Sequence, residues 1–246
     1  MARDNARVID LHCHLLPGID DGPAAMEESL AMARLAVANG IEESRVTPHL
    51  HVGRWENDLA SISAAVTAYR RALADAAIPL AVSFAAEVRA SYDILPLIED
   101  GRVPFLGELE GYKILLLELP HSHVPVGIDK LVSWLIGRRI RPMIAHPERN
   151  KDILRDAEKI VPFVREGCLL QLTADAVAGE FGPEAAERSA QFLQSGWVTL
   201  LASDAHDTVA RPPRIAPGRD AAARLIGDEA ARLLVEDNPR RIAHGA

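Results

Sequence analysis

Short apolar runs and longer stretches of helical period alternate along this chain from end to end. Residues 8–11 are predicted as a short strand, and after it Met26, Leu30, Ala33 and Val37 recur at spacings of four, three and four. That spacing is one face of a helix. Pro23 suits its first turn and Gly40 its stop. Leu59, Ile62, Val66, Tyr69 and Leu73 repeat the pattern behind Asn57 or Asp58 as cap. Strands are predicted at 80–86, 114–117, 141–145, 169–172 and 198–202. Helices are predicted near 128–137, 156–166, 183–194 and 220–236, followed by a polar tail.

The central strand runs are apolar on nearly every residue, the signature of parallel strands buried on both faces. Repeated β-then-α units imply right-handed crossovers and either an open doubly wound sheet or a closed barrel. About seven strands result if 45–47 is included. That one is the weakest, because Glu42, Glu43, Ser44 and Arg45 make a polar approach to it. No Pro/Gly/Ser linker or repeat divides the chain, so one domain over residues 1–246 is expected.

Composition narrows the function. A length of 246 residues, with 48% hydrophobic and 25% charged, is ordinary for a globular domain with a substantial core. The formal charge of −8 argues against a nucleic-acid-coating surface. Cys13 and Cys168 are the only cysteines, so no disulfide framework is implied and a reducing cytoplasm is expected. Residues 1–7 are polar and charged and do not resemble a signal peptide. No apolar run reaches the roughly 18 residues of a membrane span, so no membrane insertion is expected.

The residues at and just beyond each strand end carry the chemistry. The first run leads into His12-Cys13-His14, and the run near Val46 into Pro48-His49. Later runs end at Glu87, Glu118 and His146, and the last is followed by Asp204-Ala205-His206. In parallel α/β folds the C-terminal strand ends form one face, where active sites assemble. His-x-His on a strand places both imidazoles on one side. Any one of these groups alone is ordinary: a solvated strand end, or a histidine bonded in the core. Six strand ends doing so at one face is not, and crowded carboxylates there need cations to offset their repulsion. Imidazole and carboxylate without thiolate suit manganese, iron or zinc, and the candidate ligands are too many for a single tetrahedral site. Cys13 faces away from the two histidines and reads as a small buried hydrophobe. Asp20-Asp21-Gly22-Pro23 has the composition of a turn, yet beside the metal face one carboxylate could reach an ion. Arg149 lies three residues beyond His146 and Arg211 five beyond His206, and arginine's planar fork matches phosphate oxygens.

The stretch from Asp10-Leu11-His12-Cys13-His14 through Asp20-Asp21-Gly22-Pro23 resembles the opening motif of the polymerase and histidinol phosphatase superfamily. More narrowly it is similar to the bacterial metal-dependent protein-tyrosine phosphatases linked to capsular and extracellular polysaccharide synthesis. Thr47-Pro48-His49, Ala145-His146-Pro147-Glu148-Arg149-Asn150, Gly179-Glu180-Phe181-Gly182 and Ala202-Ser203-Asp204-Ala205-His206 resemble further motifs of that family, in order and over nearly the whole chain. The resemblance implies a distorted seven-stranded (β/α)7 barrel and a trinuclear centre, typically of manganese. It implies that His12, His14, Glu87 and Asp204 hold one ion, and Glu87, Glu118 and His146 a second, with Glu87 bridging. Asp21, His49 and His206 would hold the third, and Arg149 and Arg211 would contact phosphate. The implied partner is a phosphotyrosine protein such as a bacterial tyrosine kinase. One departure is the Glu42–Val46 stretch, where the family has an apolar strand.

The expected chemistry is in-line attack on phosphorus by water that a metal acidifies from a pKa of about 15.7 towards neutrality. A tyrosine phenolate, with a conjugate acid of pKa about 10, leaves with little help. A cysteine mechanism needs Cys-x5-Arg, but Ile19 and Ala174 stand six residues after Cys13 and Cys168. Amidohydrolase barrels carry a metal-bridging lysine, and no strand here ends in one. The remaining rivals are a phosphatase of a small phosphomonoester such as histidinol phosphate, and a non-catalytic metal-binding barrel.

Overall fold

Successive side chains along Tyr112–Glu118 enter two different buried clusters, which shows how the core is layered. Ile114 and Leu116 join a small inner cluster with Leu11, Met143, Leu200 and Ile242, while Leu115 and Leu117 face the larger outer cluster beneath the helices. Both faces of this strand are therefore buried, as a continuously apolar run requires. The structure, a computed structural model, describes residues 8–245. The polar stretch 1–7, on which the leader expectation rests, lies outside the described residues.

Ten strands are present among the described residues: β1 (Val8–Cys13), β2 (Ile41–Val46), β3 (His49–Leu50), β4 (Ala81–Phe84), β5 (Glu87–Arg89), β6 (Gly107–Leu109), β7 (Tyr112–Glu118), β8 (Ile140–Ala145), β9 (Leu169–Thr173) and β10 (Val198–Ala202). One sheet has the order β1-β2-β4; the other runs β10-β9-β8-β7-β5-β3, with β6 paired to β7. Every pairing is parallel except β6–β7. The fold is thus a mixed α/β domain with parallel sheets. Only residues 47–48 separate β2 from β3, and 85–86 separate β4 from β5, so the chain passes from one sheet to the other twice. Hydrogen bonds from Ala85 N to Val46 O (2.9 Å) and Glu87 N to Pro48 O (3.2 Å) carry the pairing through both breaks. At the far edge, Cys13 bridges Ala205, joining the end of β1 to the segment after β10.

Helices Met26–Ala38, Leu59–Asp75, Ile128–Gly137 and Pro183–Gln194 stand where the apolar period places them. Asp58 is the cap of the second, accepting from Ala60 and Ser61 N–H. The polar approach to the second strand is itself strand: β2 spans Ile41–Val46, with Ser44 and Arg45 buried. The predicted helix at 156–166 is instead a 3-10 turn, Ala157–Ile160, followed by Val161–Arg165. That at 220–236 breaks at Gly227 (φ 88°) into Ala216–Ile226 and Asp228–Leu233. The polar tail is a helix, Asp237–His244, whose Ile242 is wholly buried in the inner cluster. No helix among the described residues is long and apolar enough to cross a membrane.

Candidate metal centre

The ionisable groups predicted from the sequence meet at one site, at or beside the ends of some parallel strands and at the starts of two others. His12 lies near the end of β1 with His14 just beyond it, His49 opens β3, Glu87 opens β5 and Glu118 closes β7. His146 follows β8, and Asp204 and His206 follow β10. His146 and Asp204 both hold left-handed backbone (φ 32° and 51°), a conformation that a non-glycine residue adopts at a cost when the surroundings impose it.

Three tight groups of ligand atoms form. One is His12, His14, Glu87 and Asp204; the second is His14, Asp21, His49 and His206; the third is His49, Glu87 and Glu118. His12 Nε2 stands 3.2 Å from Asp204 Oδ1 and 3.4 Å from Glu87 Oε2, and His14 Nε2 is 3.3 Å from the same Glu87 oxygen. His49 Nδ1 stands 3.0 Å from Glu87 Oε2 and its Nε2 3.2 Å from Asp21 Oδ1, while His206 Nε2 lies 3.4 Å from Asp21. His146 Nε2 meets Glu87 Oε1 at 2.7 Å, but in the group around Glu118 the imidazole is His49 rather than His146. All nine predicted ligand residues thus converge on one region.

The donor set fits divalent ions. Glu87 Oε2 and Asp204 Oδ1 are buried and have no hydrogen-bond partner among the described residues, although both belong to the same group. Leaving two carboxylate oxygens buried and unbonded is costly, and a cation between them and the imidazoles removes that cost. The histidines are oriented for it. His12 Nδ1 bonds Gln171 Oε1 at 2.9 Å, and His14 Nδ1 bonds Asp20 Oδ2 at 2.7 Å, so both Nε2 atoms face the centre. Asp20 also accepts from the backbone N–H of His49 and Gly22, tying three ligand-bearing segments together. Gly22 has a steric role here, since a Cβ would fall 2.6 Å from His14 O.

The electrostatics describe a site built around positive charge. Burial and the neighbouring Glu87 push the Glu118 carboxyl up to about 7. Although burial opposes it, the attraction of Glu87 and Asp21 raises His49 to about 9. Burial, reinforced by Arg149, lowers His146 to about 4, which keeps its imidazole neutral. Arg149 and Arg211 both place a guanidinium nitrogen on Asp204 Oδ2, and Arg149 also lies 4.7 Å from the Phe181 ring centroid. Both arginines line the same cleft of about 200 Å³ as His49, Glu87, Glu118, His146 and Asp204.

Several residues that shape the site are not marked out by the sequence pattern. Arg89 pairs with Glu118 at 3.2 Å, and Trp55 stacks on His49 with ring centroids 4.5 Å apart and planes 8° from parallel. Gln171 is the one with a visible signal: a polar residue inside the apolar run of β9, wholly buried. Cys13 and Cys168 are free and buried, and burial raises both thiols, Cys168 to about 12.

Known proteins resemble this chain along almost its full length. The tyrosine-protein phosphatase YwqE of Bacillus subtilis is 31% identical over 230 residues, covering 94% of this chain and 89% of that protein. The tyrosine-protein phosphatase CpsB of Streptococcus pneumoniae is 27% identical over 242 residues, covering 96% and 98%. A solved structure from work on those two proteins, described as unique metal-dependent tyrosine phosphatases, superposes with a TM-score of 0.88 at 30% identity, covering 96% of this chain and 94% of that one. The family profile described as capsular polysaccharide synthesis, CpsB/CapC, matches residues 8–244, and the chain belongs to that family.

Proposed function

We propose that this chain is a metal-dependent protein-tyrosine phosphatase acting in the regulation of capsular or extracellular polysaccharide synthesis. The observation that carries this reading is the sharing of Glu87, His14 and His49 among three ligand groups, directly beside two arginines in one cleft. Two or three divalent ions, manganese first and iron or zinc otherwise, suit imidazole and carboxylate donors. His12, His14, Glu87 and Asp204 hold one ion. Glu87 and Glu118, with His146 or His49, hold a second, and Asp21, His49 and His206 a third. The ions, when bound, supply Lewis acidity that lowers the pKa of water and offsets phosphoryl charge.

The chain's own groups do the rest. Arg149 and Arg211 present guanidinium forks to the phosphoryl oxygens, holding the phosphorus in line and neutralising equatorial charge as it develops. Gln171 and Asp20 each accept a hydrogen bond from Nδ1 of His12 and His14, so the Nε2 atoms are aimed inward as the ligand atoms. The tyrosine phenolate, of conjugate-acid pKa about 10, departs without a dedicated general acid. The surrounding reading is one domain over residues 1–246, in which β2 with β3 and β4 with β5 each count as one broken strand of a distorted seven-stranded barrel. A bacterial tyrosine kinase is the expected partner. The two free thiols suit the reducing cytoplasm.

Chelation with EDTA is expected to abolish hydrolysis of p-nitrophenyl phosphate and of phosphotyrosine peptides, and Mn²⁺ to restore it. His12→Ala and Glu87→Ala are expected to lose bound metal and turnover together. Activity that survives complete metal removal ends this reading. A faster reaction with histidinol phosphate than with any phosphotyrosine peptide replaces the substrate class.

A further inference from the structure

The cleft holding the metal groups does not end at Arg149. His121 and Arg149 also line a second, larger groove of about 880 Å³, which leaves the metal centre between the segment after β8 and the helix Pro183–Gln194. Its apolar lining is Phe181, Leu154 and Ala185. Four cationic side chains, Arg149, Lys151, Arg155 and Arg188, stand against two carboxylates, Glu184 and Glu187. This positive excess occurs on a chain whose formal charge is −8.

The positive charge is largely uncommitted. Lys151 makes no ion pair among the described residues, and Arg155 only an exposed 3.4 Å contact to Asp152. Arg188 bonds Leu154 O at 2.7 Å and the Gln191 side chain, with no carboxylate among the described residues. At the inner end, Arg149 lies over the Phe181 ring and reaches Asp204. A phosphoryl group at Arg149 therefore has an aromatic face and an open, basic-rimmed channel immediately behind it.

We propose that this groove binds the polypeptide that flanks the phosphotyrosine, and that Lys151 and Arg155 give it a preference for acidic flanking residues. The proposal rests on the phosphatase reading and adds a substrate subsite to it. The tyrosine ring lies along Phe181, and the main chain continues over Leu154 and Ala185. Side chains of Asp or Glu then meet the basic rim, while lysine-rich flanks are repelled. Exposed contacts of this kind are individually weak, and two of them amount to about a fivefold effect on KM.

The test uses the full chain loaded with Mn²⁺ and two phosphotyrosine peptides of equal length, one with Asp and Glu flanks and one with Asn and Gln flanks. The acidic peptide is expected to have the lower KM, by about fivefold at low salt, with the difference shrinking as salt is added. In the double variant K151E/R155E the preference is expected to vanish or invert. Equal KM values in the natural protein, a preference that ignores salt, or one that survives in a folded K151E/R155E overturns the proposal. Should that variant not fold, the salt series on the natural protein decides alone. Hydrolysis of p-nitrophenyl phosphate, measured in parallel on the natural protein, separates the two levels. Turnover without peptide preference removes only the groove, whereas absence of all turnover removes the phosphatase reading and the subsite with it.

Discussion

At the scale of single residues, the centre depends on side chains that touch no ion. Gln171 Oε1 takes the Nδ1 proton of His12 and also accepts from His146 N at 3.3 Å, so one amide fixes two ligand-bearing strand ends. Gln171→Leu keeps the volume in β9 but leaves His12 free to change tautomer. We expect metal affinity to fall about 10–100-fold, as for other partners of ligating histidines, with the melting temperature of the metal-free protein little altered. Titration calorimetry with Mn²⁺ checks this, and undiminished affinity would show that the amide plays no part. The two cysteines give a second expectation. Burial holds the Cys168 thiol near pKa 12 and raises Cys13 as well, so thiolate is scarce at neutral pH. Iodoacetamide is expected to leave the native enzyme unlabelled and active, and rapid inactivation with labelling at either cysteine would contradict it. The ligands themselves, Asp21 in its turn excepted, are legible in the sequence because each sits at or just beyond the end of an apolar run. Gln171 shows only as a polar residue within an apolar run, and Arg89 and Trp55 carry no such mark, since their roles come from Glu118 and His49, which only the fold sets beside them.

At the scale of elements, legibility follows burial. The strands buried on both faces and the helices with a clear apolar stripe, such as Leu59–Asp75 and Pro183–Gln194, are visible because their patterns have one reading. β2 is obscured because its polar residues are inside: Ser44 is wholly buried, and Arg45 spends its guanidinium on Leu106 O, Ser83 Oγ (2.9 Å) and Ala243 O (3.2 Å). The tail helix reads as merely polar for a related reason, as only Pro239 and Ile242 are buried. Arg45 ties these two obscured elements together, joining β2 to the segment before β6 and to the C-terminal helix. Arg45→Met fills the space but leaves buried carbonyls unbonded. It is expected to destabilise the fold by about 3 kcal/mol, while metal content per folded molecule stays unchanged. Chemical denaturation followed by metal analysis tests both halves. A stability loss near zero would mean that water replaces the guanidinium.

At the scale of the whole molecule, the centre concentrates charge that the polypeptide alone balances with protons. Against the burial that opposes it, His49 is raised from its usual 6.5 to about 9 by Glu87 and Asp21. A histidine with a raised folded pKa stabilises fully below its unfolded value and loses that contribution as pH rises through the folded one. Between pH 7 and 8.5 the metal-free protein is therefore expected to weaken, with His49 alone contributing about 2 kcal/mol at most. Burial again notwithstanding, His12 and His14 are shifted in the same direction, by Glu87 and Asp204 for His12 and by Asp20 for His14. Glu118, raised to about 7 by burial and Glu87, acts with the same sign one step earlier, its contribution fading from about pH 4.5 to 7. His146, lowered to about 4, works the other way but only below its usual 6.5, so it does not enter the upper window. Metal reverses the balance: ligands must be deprotonated to bind, so the affinity rises over the interval in which the metal-free fold weakens. Bound ion adds RT ln(1 + [L]/Kd) to stability. The gap in melting temperature between Mn²⁺-loaded and EDTA-treated protein is thus expected to widen from pH 7 to 8.5, with the EDTA-treated curve falling. Calorimetric scans of both forms at the two pH values decide it. A gap that narrows, or a metal-free protein that gains stability with pH, would mean that these imidazoles do not share their protons with the carboxylates of the rim.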